Sequence, residues 1–250
     1  MSDPGSAEFF AEWLRSDPTS IGDGLLKLSE VLTGRSGVVE QGRFALDELA
    51  DGSAEPTTTS LVDRLFGQDG FRGDVENYHD EDNSMLDRVL DRKLGMPITL
   101  SAVVIEVGQR MGLELTMIGM PGHVIVGTGV ADNYIDAFGG VEVNDRWAQQ
   151  RLESIFGPEA NLATTPMPTL DVEAAVNRVC NNLMRTWIDD RTGKFDRLLE
   201  LRSLLPTSSA DRRLLLDVAT GRGRFDIAAK IREINDPDDP EIRSLWAKLN

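Results

Sequence analysis

Two histidines, His79 and His123, and one cysteine, Cys180, are the whole stock of imidazole and thiol in this 250-residue chain. Chemistry that needs an imidazole must use one of those two rings. His123 is followed thirteen residues later by Asp136, and each lies in a short run of strand-like pattern, HVIV and YIDAF, with a Gly/Asp/Asn turn between them. Paired antiparallel, such runs bring a carboxylate close enough to orient an imidazole. Just upstream, Pro97 opens an apolar segment that reads as a helix. The partial positive charge at a helix start lowers the pKa of a nucleophile and stabilises an oxyanion. Thr99 and Ser101, near that start, are the hydroxyls available as nucleophiles with His123 as base, and a water activated by His123 is the other route.

Two further groups have more ordinary readings. His79, Asp80, Glu81 and Asp82 are dense in ligand atoms but lack the glycine and closing Glu of a calcium loop and the spacing of a zinc site, so an acidic solvated loop is expected. Cys180 falls on the apolar stripe from Val172 to Trp187, where a buried structural thiol is expected. No metal and no cofactor is assigned.

The elements that must position His123 and Asp136 follow from periodicity. Ile98 to Met111 is apolar nearly all round, with Pro97 suited to its first position and Gly112 to its end, and so predicts a buried helix. Asn83 and Ser84 supply N-cap chemistry for a preceding helix carrying Met85, Leu86, Val89 and Leu90, with Gly95 at the left-handed closing position. After Gly112 the period changes: Leu115 to Ile118, His123 to Val126 and Tyr134 to Phe138 predict three short antiparallel strands, closed by Gly139 and Gly140. A helix over Asp145 to Phe156 follows. Gly70 to Asp82 reads as a polar loop.

Short amphipathic helices precede this core, marked by Phe9 to Leu14, Leu25 to Leu32, Phe44 to Leu49 and Ser60 to Phe66, the last stopped by Gly67. Everything after Asp171 reads as helical, to a last helix over PEIRSLWAKL, and Ala219, Gly221, Phe225 and Ala228 have the spacing of one degenerate tetratricopeptide-like hairpin. The expected fold class is α+β: a core of a buried helix on a short antiparallel sheet, flanked by N-terminal and C-terminal helices, and with a His on one strand and an Asp on the next it resembles the papain-like and transglutaminase-like layout. The expected divisions are an N-terminal helical region over 1–70, the core over 71–160 and a C-terminal helical, tetratricopeptide-like region over 171–250.

The run NYHDEDNSMLDRVLDRKLGMPITLSAVVIEVGQRMGL, then GMPGHVIVG, then YIDAFGG, closely resembles the bacterial SirB1 family of the transglutaminase-like superfamily. The resemblance implies that His123 and Asp136 match the superfamily's catalytic His and Asp. It also places the nucleophilic Cys near Pro97, where this chain has Met96, Pro97 and Ile98. None of these can attack a carbonyl. The expectation is therefore a non-catalytic transglutaminase-like protein, keeping His123 and Asp136 as a relic dyad and acting by binding a protein or peptide. The competing expectation is an amide hydrolase or acyl transferase using His123 and Asp136 with Thr99, Ser101 or an activated water.

Composition narrows the partners. With 42 acidic against 26 basic side chains the formal charge is −16, which repels nucleic-acid backbones and anionic lipid headgroups. No nucleic-acid or membrane partner is expected, and a peptide partner is expected to be basic or apolar. One cysteine, no apolar run of membrane-spanning length and an N-terminus without signal-peptide character make a cytoplasmic location the expectation.

Overall fold

A computed structural model describes residues 6–51, 55–205 and 209–235. The expected helix over PEIRSLWAKL lies outside the described residues. The fold is α+β. Its centre is α6 (Pro97–Arg110), whose residues from Pro97 to Gly108 are all buried. Pro97 fits the first helical position, and the Met96 N–H donates to Thr99 Oγ1 at 3.2 Å, which satisfies a backbone donor at the helix start.

The strands β3 (Thr116–Met120), β4 (His123–Gly127), β5 (Tyr134–Asp136) and β6 (Val141–Val143) form one antiparallel sheet in sequential order, with α6 packed on β4. β6 was not expected. Its residues are two-thirds exposed positions, so Gly139 and Gly140 turn the chain into an edge strand with no apolar alternation to betray it. The free edge of β3 is covered by 168–170, through Gly119 N–H to the Pro168 carbonyl and Leu170 N–H to the Met117 carbonyl, both 2.8 Å.

Before the sheet lie β1 (Arg72–Gly73), α5 (Leu86–Arg92) and β2 (Leu94–Gly95), and β1 and β2 pair in parallel. This pair corrects the reading of 70–82 as only a loop. It is joined by Arg72 N–H to Lys93 O (2.9 Å) and Asp74 N–H to Gly95 O (3.1 Å), and Gly73 N–H to Phe138 O (3.2 Å) ties it to the chain after β5. Asn83 and Ser84 do not cap α5. They close a 3₁₀ turn, Glu81–Ser84, and Met85 stands at the N-cap without a side-chain bond. The left-handed residue ending α5 is Lys93 (φ 62°), not Gly95, which joins β2.

The N-terminal helices are α1 (Ala7–Arg15), α2 (Ile21–Thr33), α3 (Val38–Asp51) and α4 (Thr58–Val62), the last continuing as a π-helical turn, Asp63–Gln68, past Gly67. Phe44, read as a core residue of α3, is instead 63% exposed. After α7 (Asp145–Phe156) come α8 (Val172–Thr186), α9 (Lys194–Leu204), α10 (Ser209–Gly221) and α11 (Phe225–Asn235). α2 contacts α5, α6, α8 and α9, and one buried apolar cluster draws on Phe10, Leu26, Val104, Ile135, Val176 and Phe195 alike. Within it Glu106 is buried, accepting from Ser20 Oγ (2.8 Å), Gly22 N–H (2.7 Å) and Arg110 Nη1 (2.9 Å). A buried carboxylate is tolerable only with such partners.

Candidate functional site

β4 and β5 pair through Val126 with Ile135, which sets His123 and Asp136 at the same end of neighbouring strands. His123 Nε2 lies 2.8 Å from Asp136 Oδ1, and both residues are buried, at 3% and 6% exposure. The Phe138 N–H donates to the same carboxylate oxygen at 3.1 Å, so the acid is fixed independently of the ring it orients. Phe138 also stands edge-on to His123 and to Tyr78, and Trp147 of α7 lies 5.7 Å from the imidazole, centroid to centroid. The other ring nitrogen, Nδ1, is buried with no hydrogen-bond partner among the described residues.

His123 lines a cleft of about 580 Å³ between the sheet end, the start of α6 and α8. A cleft of that size suits a small ligand or a short peptide segment. Met96, Pro97 and Ile98, at the start of α6, line its floor. Met96 Sδ accepts from Ser84 Oγ and from Asn182 Nδ2, each at 3.2 Å. A thioether held by two donors cannot serve as a nucleophile.

The two hydroxyl candidates sit elsewhere. Thr99 is fully buried and donates to the Asn83 carbonyl at 2.7 Å, while Ser101 is equally buried with no partner for its Oγ among the described residues. Neither is among the side chains lining the cleft. Cys180 is fully buried on α8, and burial pushes its thiol up to about 11, well above the reactive range. His79 is exposed at the rim. The acidic cluster beside it is part exposed and also ion-paired: Arg92 reaches Asp80 at 3.1 Å and Asp82 at 3.6 Å, and Lys194 reaches Glu81 at 2.6 Å.

The wall opposite His123 was missed by sequence reasoning. Ala174, Asn177, Arg178, Asn181, Asn182, Arg185 and Thr186 recur at spacings of three and four along α8 and all face the cleft. The signal is present in the sequence as the polar complement of the Val172, Val176, Val179, Leu183 stripe. Arg178 Nη2 donates to the carbonyls of both Met120 and His123, each at 2.8 Å, and so ties α8 to the β3–β4 turn. Burial pushes the Arg178 guanidinium below its ordinary value. Behind the wall Arg202 is 1% exposed and donates to Asn177 Oδ1 and, at 3.4 Å, to Asn181 Oδ1.

A helix start facing an Asp-oriented histidine across a cleft, on an α+β core, is the arrangement of a transglutaminase-like domain. The family model described as "Transglutaminase-like superfamily" matches residues 38–181, and the chain belongs to that superfamily. Its relatives carry the name UPF0162 protein. One from Xylella fastidiosa (strain Temecula1) is 32% identical over 193 residues, 70% of this chain and 66% of that protein. One from Vibrio cholerae is 31% identical over 119 residues, 46% of this chain and 44% of its own, and one from Haemophilus influenzae is 26% identical over 144 residues, 57% and 53%. The chain thus spans 66% or less of the length of these curated relatives. No solved structure matches it significantly. No helix among the described residues is long and apolar enough to cross a membrane.

Proposed function

We propose that this protein is a transglutaminase-like binding module, of the kind the SirB1 likeness implies, that holds a peptide segment in the cleft between His123 and α8 without cleaving it. The observation that supports this is Met96: the side chain at the start of α6 is a doubly hydrogen-bonded thioether, while the hydroxyls of Thr99 and Ser101 lie outside the cleft. The His123–Asp136 pair then serves to shape and polarise one wall. The polar face of α8 supplies amide and guanidinium groups of the kind that bond peptide backbone.

The test is photocrosslinking with a degenerate decapeptide library carrying a benzophenone, read by mass spectrometry. Crosslinks are expected to concentrate on α8 between Ala174 and Thr186 and on β4, and to disappear in Asn181→Trp, which fills the cleft. No turnover of amide or ester probes is expected. Crosslinks spread evenly over the surface, or a hydrolytic or acyl-transfer activity abolished by His123→Ala, would overturn the reading.

A further inference from the structure

We infer that the cleft recognises a carboxylate group carried by its peptide, an inference that rests on the peptide-binding reading above. The starting point is charge. In a chain of net −16, Arg178 and Arg185 line the cleft, and Arg151 on α7 acts with them on the Tyr78 phenol at its edge. None of the three makes an ion pair with a carboxylate among the described residues. The one acid in the lining, Asp80, is already held by Arg92 at 3.1 Å. The cleft is therefore cationic on a strongly anionic molecule, which reverses the expectation of a basic or apolar peptide.

Two buried groups point the same way. His123, 3% exposed, lines the cleft, and its Nδ1 is buried with no hydrogen-bond partner among the described residues. A carboxyl group satisfies it in either protonation state, accepting from an imidazolium or donating, as the acid, to a neutral ring. Arg202, behind the wall, is a buried cation whose bonds run to the amide oxygens of Asn177 and Asn181, not to an acid. With its oxygen engaged by Arg202, Asn181 has its NH₂ group to offer, polarised by the charge behind it. Arg178 spends Nη2 on two carbonyls and keeps Nη1 and Nε, so it is both a brace and a donor.

A phosphate polymer carries the same sign but meets the −16 field over its whole length, whereas a single carboxylate meets only the cleft. The same degenerate library, applied to the full chain and sequenced after capture, tests the inference. The captured pool is expected to be enriched in Asp and Glu. Capture is expected to fall about tenfold or more in Arg185→Gln, in keeping with loss of a hydrogen bond to a charged group. That side chain is exposed and makes no hydrogen bond or ion pair among the described residues, so its loss spares the fold; Arg178→Gln, which also unties the β3–β4 turn, is the second variant.

A C-terminally amidated library separates sources: enrichment that survives amidation assigns the carboxylate to a side chain, and enrichment confined to the free acid assigns it to the peptide terminus. Capture without acidic enrichment, unchanged by Arg185→Gln, would overturn the carboxylate while leaving the groove as a peptide site. No capture in the groove would overturn the reading beneath it. Displacement of the pool by a ten-nucleotide oligothymidylate at lower concentration than by a Glu-rich decapeptide would overturn it in favour of phosphate.

Discussion

At the residue scale, His123 lines the cleft, held by Asp136 through Nε2 and with its buried Nδ1 unpartnered among the described residues, while position 96, at the start of α6, carries a thioether. If the ring still faces the place of a nucleophile, a thiol at position 96 should be activated by it and by the helix start. Met96→Cys is expected to alkylate with iodoacetamide at neutral pH while Cys180 stays protected, and adding His123→Ala should slow that reaction about tenfold. An alkylation rate indifferent to His123→Ala would mean that the imidazole does not address position 96. The His and its acid were legible in the sequence because strand alternation and a short turn fix their neighbourhood. The commitment of Thr99 to the Asn83 carbonyl was not, because that bond joins residues sixteen apart across a turn whose cap chemistry read differently.

At the element scale, α2 meets α6 through Gly22, where a Cβ would stand 2.6 Å from Glu106 Cγ. Two effects oppose each other in Gly22→Ala. Helix propensity favours alanine by about 1 kcal/mol, and overpacking costs about 1–3 kcal/mol. The substitution also pushes the Glu106 carboxylate from the Gly22 N–H that holds it. Loss should win: the urea midpoint of Gly22→Ala is expected to fall, and a rise would show that Glu106 swings aside freely. The long helices and the first strands were readable from their periods. The two-residue pair β1–β2 and the edge strand β6 were not, since so few residues carry no period, and β1 is joined to β2 through the bonds of Arg72 to Lys93 and Asp74 to Gly95.

At the scale of the whole molecule, the buried apolar cluster runs without a break from Phe10 through Val104 to Ile231. α1 packs on α9 and α2 on α8 and α9, so the N-terminal helices share contacts with α8 and α9 that bypass the sheet. Unfolding in urea is expected to be a single transition, with tryptophan fluorescence and far-ultraviolet circular dichroism coincident. Two resolved transitions would mean that the C-terminal helices fold apart from the core. Composition foretold a large core and an acidic surface. It could not foretell that Arg178 and Arg185 line one cleft, because a net charge sums over the chain and says nothing of where its members meet.

Arg202 adds a distinction that only ionic strength reveals. Mobile ions weaken the pull of exposed guanidiniums such as Arg185, but they do not enter the interior where Arg202 is sealed behind Asn177 and Asn181. The attraction of the cleft for an anion thus has two parts, one that salt erases and one that salt leaves standing.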